Sequence, residues 1–536
     1  MVRQSPPAFP APEARAHWWP APVLLASGGA VFAVVLFGDV AFSGRPSSDL
    51  AWIFAITEGL LFVWLMRFSP VAPVARVKLL AVVASVAALF ALTVSVEGYH
   101  GDGRPIVAWR FSWPRGSSAG GQRLAAVSRL TPAAEAVDLV TTTERDAPQF
   151  RGINRSGTYP EIDIARDWSH RPPRELWRQP IGQGWSSCAV RGDFFVTQEQ
   201  RDDDELVACY ELTTGRERWV HRDRTRFHEV TGGDGPRATP TIDAGRVYSL
   251  GATGLLNCLD GSDGSLIWVR DILRDAGTKN SLFGMAGSPL VANGLVVVAP
   301  GGQGHSLVAY HAAAGDFAWG GGDAPAAYSS PVRALLGGTE QILNFNAEGL
   351  FAHDCQNGAI LWNFDWVTPP EMNNVCQPVP LANADSGGTG RVFISSGYGK
   401  GCAVLEVSHG EDGFRVRPEW TNSRLKAKFS SVVVRDGFVY GLDDKLLTCL
   451  DLRTGERRWK GGRYGYGQLL LAGDLLLVLA EEGELALVEA APTDFRELAR
   501  FAVLDHRTWC HPVVSGSLLL VRSDREIACF ELPARE

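Results

Sequence analysis

The feature that most constrains this chain is a repeat. An apolar run ends in a small residue and an acid or polar residue, passes through a turn containing Gly, and closes on Trp. It reads CYELTTGRERW at Cys209–Trp219, CLDGSDGSLIW at Cys258–Trp268 and AYHAAAGDFAW at Ala309–Trp319. It returns as AHDCQNGAILW at Ala352–Trp362 and CLDLRTGERRW at Cys449–Trp459. Looser copies begin at Val404 and Leu487, and a half copy, CFEL, begins at Cys529. Successive anchors lie 49, 51, 43, 52, 45, 38 and 42 residues apart. Alternating apolar residues make strands, Gly supplies the positive φ of a tight turn, and a large flat Trp can wedge between neighbouring units. A period of about 40–50 residues built this way predicts an all-β propeller. The same turns account for 58 glycines among 536 residues.

A second signal sets the blade number. A polar residue precedes a short apolar run at Ser187, Thr239, Ser288, Ser330, Gln377, Ser431, Gln468 and His511. These mark eight innermost strands. The last copy ends at Leu532 without its Trp strand, while an extra strand, ELWRQPI at Glu175–Ile181, precedes the first copy. The early strand is therefore expected to close the last blade, giving an eight-bladed ring over residues 171–532 rather than an open stack of hairpins. Before it, residues 97–170 read as a polar linker whose FRGINRSGTYP stretch, from Phe150, packs on the propeller.

The strand–TG–Trp pattern resembles the pyrroloquinoline-quinone (PQQ)-type propeller repeat of the quinoprotein alcohol dehydrogenase-like superfamily, in its membrane-anchored bacterial form. That resemblance implies either a quinone dehydrogenase using PQQ and Ca²⁺ to oxidise an alcohol or sugar, or a non-enzymatic propeller such as the lipoprotein of the outer-membrane β-barrel assembly machine. The dehydrogenases carry adjacent cysteines that pack on the cofactor. None of the nine cysteines here adjoins another, and CxxCH, the haem attachment motif, is absent.

The first hundred residues have a different character. Ala21–Gly38, Leu50–Met66 and Leu79–Val96 are apolar runs of spanning or near-spanning length, broken only by Glu58. They predict a cytoplasmic tail over residues 1–20 and a three-helix membrane anchor over 21–96. Arg67, Arg76 and Lys78 in the second loop place that loop in the cytoplasm and the propeller outside, in the periplasm or cell exterior of a bacterial inner membrane. Glu58 is either a protonated side chain bonded to a neighbouring helix or a functional group.

Function is less legible. A formal charge of −8 argues against nucleic acid. The histidines lack metal-ligand spacing. Asp202–Glu205 lacks the alternation of a calcium loop and reads as a solvated acidic turn, so no metal site is expected. The loops before each inner strand, and those between second and third strands, share one face and gather charged and aromatic residues. Glu199, Arg201, Arg237, Tyr398, Lys428, Arg463, Tyr466, Trp509 and His511 are the candidate ligand-binding set. The alternative is that propeller faces are rich in polar loops whatever they bind. The chain reads as a binding or assembly scaffold for envelope proteins or polysaccharide, with quinone-dependent oxidation as the rival function.

Overall fold

A computed structural model of the chain describes residues 92–109, 137–369, 374–381 and 389–535, with isolated positions between 72 and 85. The expected tail, the first two apolar runs with Glu58, and most of the third lie outside the described residues. Among the described residues no helix is long and apolar enough to cross a membrane. The chain divides into two compact units, Met1–Arg129 and Leu130–Glu536.

In the first unit Val94–Tyr99 pairs antiparallel with Pro105–Trp109. The third apolar run was expected to remain helical to Val96. Its end is instead a strand, as suits a stretch where Thr93, Val94 and Val96 are β-branched.

The second unit is a propeller of eight sheets among the described residues, seven of them four-stranded and antiparallel and one extended to five strands by Thr158–Tyr159, which pairs parallel with Gln468–Ala472. Each begins with a short inner strand. These are Ala189–Arg191, Thr241–Asp243, Leu290–Ala292, Val332–Leu336, Val379–Leu381, Val433–Arg435, Gln468–Ala472 and Val513–Ser515. Seven sheets use consecutive strands, and the last takes Arg174–Pro180 as its fourth, paired antiparallel with Glu526–Glu531. The early strand thus lies where the truncated last repeat requires it.

The repeat signature has a specific geometry. Cys209 faces Trp219 across the third and fourth strands, but Tyr210 pairs with Glu217, so Arg218 is bulged out. The same register shift follows Cys258, Ala309, Ala352, Val404, Cys449, Leu487 and Cys529. The indole then reaches the next sheet. Trp219 donates to the Gly261 carbonyl at 2.9 Å, Trp268 to Ala312 at 3.1 Å, Trp420 to Leu452 at 2.9 Å and Trp459 to Ala491 at 2.7 Å. Trp362 departs from this and donates to Gln341 of its own sheet.

Apolar side chains fill the spaces between adjacent sheets. Leu477, Leu479 and Leu487 meet Val514, Val521 and Ala528, and Tyr440, Leu442 and Leu447 meet Leu469 and Val478.

The polar residues ahead of the inner strands form a belt. Ser187 N–H donates to Thr239 Oγ1 (3.2 Å), Thr239 N–H to Ser288 Oγ (2.9 Å) and Ser288 N–H to Ser330 Oγ (2.9 Å). Gln377 N–H donates to Ser431 Oγ (3.1 Å), and Gln468 Nε2 to the carbonyls of Phe429 (2.8 Å) and Trp509 (3.0 Å). Ser187 Oγ donates to the His511 carbonyl (2.6 Å), tying the eighth inner strand to the first.

Candidate functional site

The belt has different chemistry on its two sides. On the side of the inner-strand turns, residues 137–168 form a strap, and its centre enters the ring. Ala147 makes a two-way bridge with Val190, and the Pro148 carbonyl accepts from Ile242. Arg155 donates to the carbonyls of Ser288 (2.9 Å) and Pro289 (2.8 Å), and its own carbonyl accepts from Gln377 Nε2 (2.6 Å). Arg151 donates to the Val432 carbonyl, Gly157 accepts from Leu471 N–H, and Phe150 meets the His511 ring edge-on at 5.7 Å. One short segment therefore touches seven of the eight sheets. The expectation that FRGINRSGTYP is ordered holds, and it closes this end of the ring.

Arg151 and Arg155 both have positive φ, 63° and 54°, which costs a non-glycine residue backbone strain. Their guanidinium groups are buried on backbone carbonyls rather than carboxylates. Burial lowers their pKa values to about 10 and about 9.

On the other side, the pre-strand loops build an aromatic collar. Trp185 and Trp509, from the first and last sheets, approach to 4.7 Å between ring centroids. Phe429 lies 5.3 Å from Trp509 and 5.5 Å from Tyr466. The Lys428 ammonium sits 4.7 Å from the Tyr398 ring, 5.0 Å from Phe429 and 4.7 Å from Tyr466, in an aromatic box. Arg507 covers Trp509 at 4.4 Å and Trp185 at 5.2 Å. Trp185 Nε1 donates to Gly232 O at 2.5 Å, which joins the collar to the glycine-rich loop. In that loop, which runs from Gly232 to Arg237, Arg237 folds back onto the Gly233 and Gly235 carbonyls and over Phe227, 4.6 Å away. Desolvation, offset by the Glu229 and Glu205 charges, lowers the Arg237 pKa to about 10.

Five members of the candidate set, Arg237, Tyr398, Lys428, Tyr466 and Trp509, thus belong to the collar or its edge. The other four do not. Glu199 is fully buried and held within the first sheet, accepting from Tyr210 OH (2.5 Å), Arg201 (2.8 Å) and Gly182 N–H. Arg201 and Tyr210 outweigh the burial penalty and keep the Glu199 pKa below its ordinary value. Arg201 is used up on Glu199 and on Glu217 at 2.6 Å. Arg463 ends the exposed outer strand Arg457–Arg463. His511 is buried against the strap, and burial with the Arg151 charge drives its pKa down to about 3.

Sequence reasoning passed over Trp185 and Phe429, and counted Glu481 among the loop residues of that face without placing it in the candidate set. Glu481 accepts the Trp509 indole N–H and the Tyr466 backbone N–H, both at 3.0 Å. Trp185 and Phe429 occupy the same pre-strand loops as the residues that were chosen, two residues before Ser187 and Ser431 respectively. That shared offset was the available signal.

The comparisons rest on this fold. Residues 203–461 match the family described as outer membrane protein assembly factor BamB. The match and the fold are together consistent with a PQQ-like-repeat propeller. No curated protein matches the chain. Among solved structures, a europium-containing methanol dehydrogenase aligns with TM-score 0.55 and 11% identity, covering 73% of this chain and 98% of its own. The quinohemoprotein alcohol dehydrogenase from Comamonas testosteroni gives TM-score 0.54 and 11% identity, covering 73% and 81%. BamB from Moraxella catarrhalis gives 0.49 and 16%, covering 68% and 99%. At these identities the likeness is one of fold.

The residues present do not fit a quinone with its divalent ion. In the collar wall both oxygens of Glu481 already hold donors. All nine cysteines are buried and unpaired, so no disulfide offers a face to a planar cofactor.

Proposed function

We propose that this PQQ-like-repeat propeller is a membrane-anchored scaffold that binds envelope proteins or polymers through its collar face. In this reading the sheets form a closed ring of eight blades. The three apolar runs hold it to a bacterial inner membrane, and the ring stands in the periplasm or cell exterior. The observation that carries it is the collar itself. Rings from five sheets surround two cations pinned flat on aromatic faces, a surface that offers area and fixed positive charge but no nucleophile–base pair. The strap supports the same reading, because it fills the ring from the opposite side and favours a surface over a through-channel.

A photo-crosslinking side chain in place of Tyr398, in the full chain within intact cells, should capture a defined envelope component. The capture should disappear when Trp509→Ala or Lys428→Ala is added. Unchanged capture would remove the collar from the function. PQQ-dependent oxidation of an alcohol or sugar is the competing function. Calorimetry of the full chain with PQQ and Ca²⁺ together should give no stoichiometric heat of quinone binding, and a stoichiometric heat would favour the dehydrogenase. A reporter fused to the C-terminus, active only outside the cytoplasm, tests the orientation.

A further inference from the structure

One cleft between the first and second sheets holds two carboxylates without a Lys or Arg salt-bridge partner among the described residues, and the Arg237 charge opposes the burial of Glu205 only in part. Glu205 and Asp223 are directly opposed on neighbouring strands, Asp204–Glu211 and Glu217–Asp223. Opposed like charges on a sheet repel. Among the described residues no Lys or Arg lies within ion-pair distance of either, and Asp223 has only the His221 ring, 3.4 Å away. The acidic turn read from the sequence is solvated at Asp202 and Asp203, but Glu205 is 3% exposed.

The groups around this pair are incompletely bonded. Glu205 takes the Ala252 N–H and, at 3.5 Å, the Thr253 hydroxyl, while its Oε1 has no partner. Asn257 of the second sheet donates Nδ2 to Asp223 Oδ2 at 2.6 Å. Asn257 is 1% exposed, and its carboxamide oxygen, on the same group that meets Asp223, also has no partner. Buried polar atoms seldom go unpaired without a missing ion or water to meet them.

We propose that this cleft binds a divalent cation of the Ca²⁺ type, held by oxygens of Glu205, Asp223 and Asn257 and bridging the first two sheets. The donors are all hard oxygens, with no thiolate near, which selects Ca²⁺ or Mg²⁺ over Zn²⁺. Three protein donors and a partly exposed Asp223 leave room for waters, and a flexible site of this kind suits Ca²⁺ better than the strict octahedron of Mg²⁺. Burial, with the Asp223 charge, raises the Glu205 pKa to about 7 against the opposing Ala252 hydrogen bond and Arg237 charge. The site lies at the second to fourth strands, away from the inner strands, and is coupled to the collar edge through the Arg237 charge.

The test uses the full-length protein at pH 8, where Glu205 is ionised, with CaCl₂ or with EDTA. Ca²⁺ should bind with one-to-one heat and raise Tm by a few degrees. Glu205→Gln should raise Tm in EDTA by removing an uncompensated charge, yet abolish the Ca²⁺ increment. Asp223→Asn should weaken Ca²⁺ binding at least about tenfold. The proposal is overturned if wild type gives no heat with Ca²⁺, or if Glu205→Gln keeps the full increment. A larger heat with Mg²⁺ than with Ca²⁺ would overturn the choice of cation.

Discussion

The indole N–H of Trp177 donates to the carbonyl of Leu212 at 2.9 Å and joins the eighth sheet to the first. Every other such link connects neighbours along the chain, whereas this one joins the two ends of the propeller. Its ring lies on Gly215, where an added Cβ would come within 2.7 Å. Trp177→Ala should therefore act on closure. It should lower stability by about 2–4 kcal/mol, the range for large-to-small aromatic changes. Trp268→Ala, at an internal junction, should cost a similar amount. If the ring closes through Trp177, only Trp177→Ala should also increase proteolysis of both Arg174–Pro180 and Glu526–Glu531. Chemical denaturation and limited proteolysis of the two variants check this.

The turn glycines divide into two kinds, and the division is testable. Gly264 has φ +75°, and a Cβ there would meet the Trp219 ring at 2.5 Å. Gly192 has φ +56°, with open space around it. Gly264→Ala combines backbone strain with a clash against a wedged indole and should cost about 2–4 kcal/mol. Gly192→Ala pays only for the left-handed backbone and should cost about 1 kcal/mol. Denaturation midpoints of the two variants give the comparison.

These two residue types explain why the fold was legible. Gly and Trp are set by local turn geometry and by the contact to the next sheet, so five repeats, from Cys209, Cys258, Ala309, Ala352 and Cys449, printed the same letters. The supernumerary strand at Glu175 and the missing one after Leu532 were visible for the same reason. The site was only partly legible. Loop residues are chosen by which neighbours converge in space, and Glu199 and Arg463 share a loop register with collar residues without sharing their surroundings. Arg201 looked available in sequence because its partner Glu217 sits on another strand. Glu205 looked solvated because its burial comes from the Gly251–Thr253 turn of the next sheet.

The strap makes its own prediction at Arg155. One planar guanidinium satisfies two carbonyls at the start of the third inner strand, Ser288 and Pro289, and also meets Gln149. Arg155→Ala should cost about 2–4 kcal/mol, because two inward carbonyls lose charged donors. Arg155→Lys should recover little of this, since a point-like ammonium cannot span the fork. Faster protease cleavage within residues 137–168, at conditions where the sheets stay folded, is the accompanying readout.

His511 should shape the acid limb of stability. Its pKa falls from an ordinary 6.5 to about 3 in the folded chain, first through burial and then through the Arg151 charge. The folded state therefore holds His511 neutral where the unfolded chain would protonate it. The stabilisation is complete above about pH 6.5 and is lost progressively as pH falls toward 3. The difference in Tm between wild type and His511→Gln should shift in favour of the variant across that window and stay constant from pH 7 to 9. A difference that is flat from pH 7 to 4 would show that His511 is not held neutral.

The cysteines give a final prediction, on reactivity. Cys209, Cys258, Cys449 and Cys529 occupy the same third-strand position, opposite the Trp of their sheet in each case. All nine are buried. Desolvation raises the pKa values of Cys188 and Cys402 to about 12 and of Cys376 and Cys510 to about 11. The thiolate is the nucleophile, so at neutral pH these groups are both shielded and protonated. The four equivalent cysteines, Cys209, Cys258, Cys449 and Cys529, lie in separate sheets, which opposes pairing among them even in an oxidising compartment. Folded protein should take up no thiol reagent over hours at pH 7.5. Protein unfolded without reductant should take up nine equivalents, since nine cysteines are present. Seven equivalents would reveal one disulfide and overturn this.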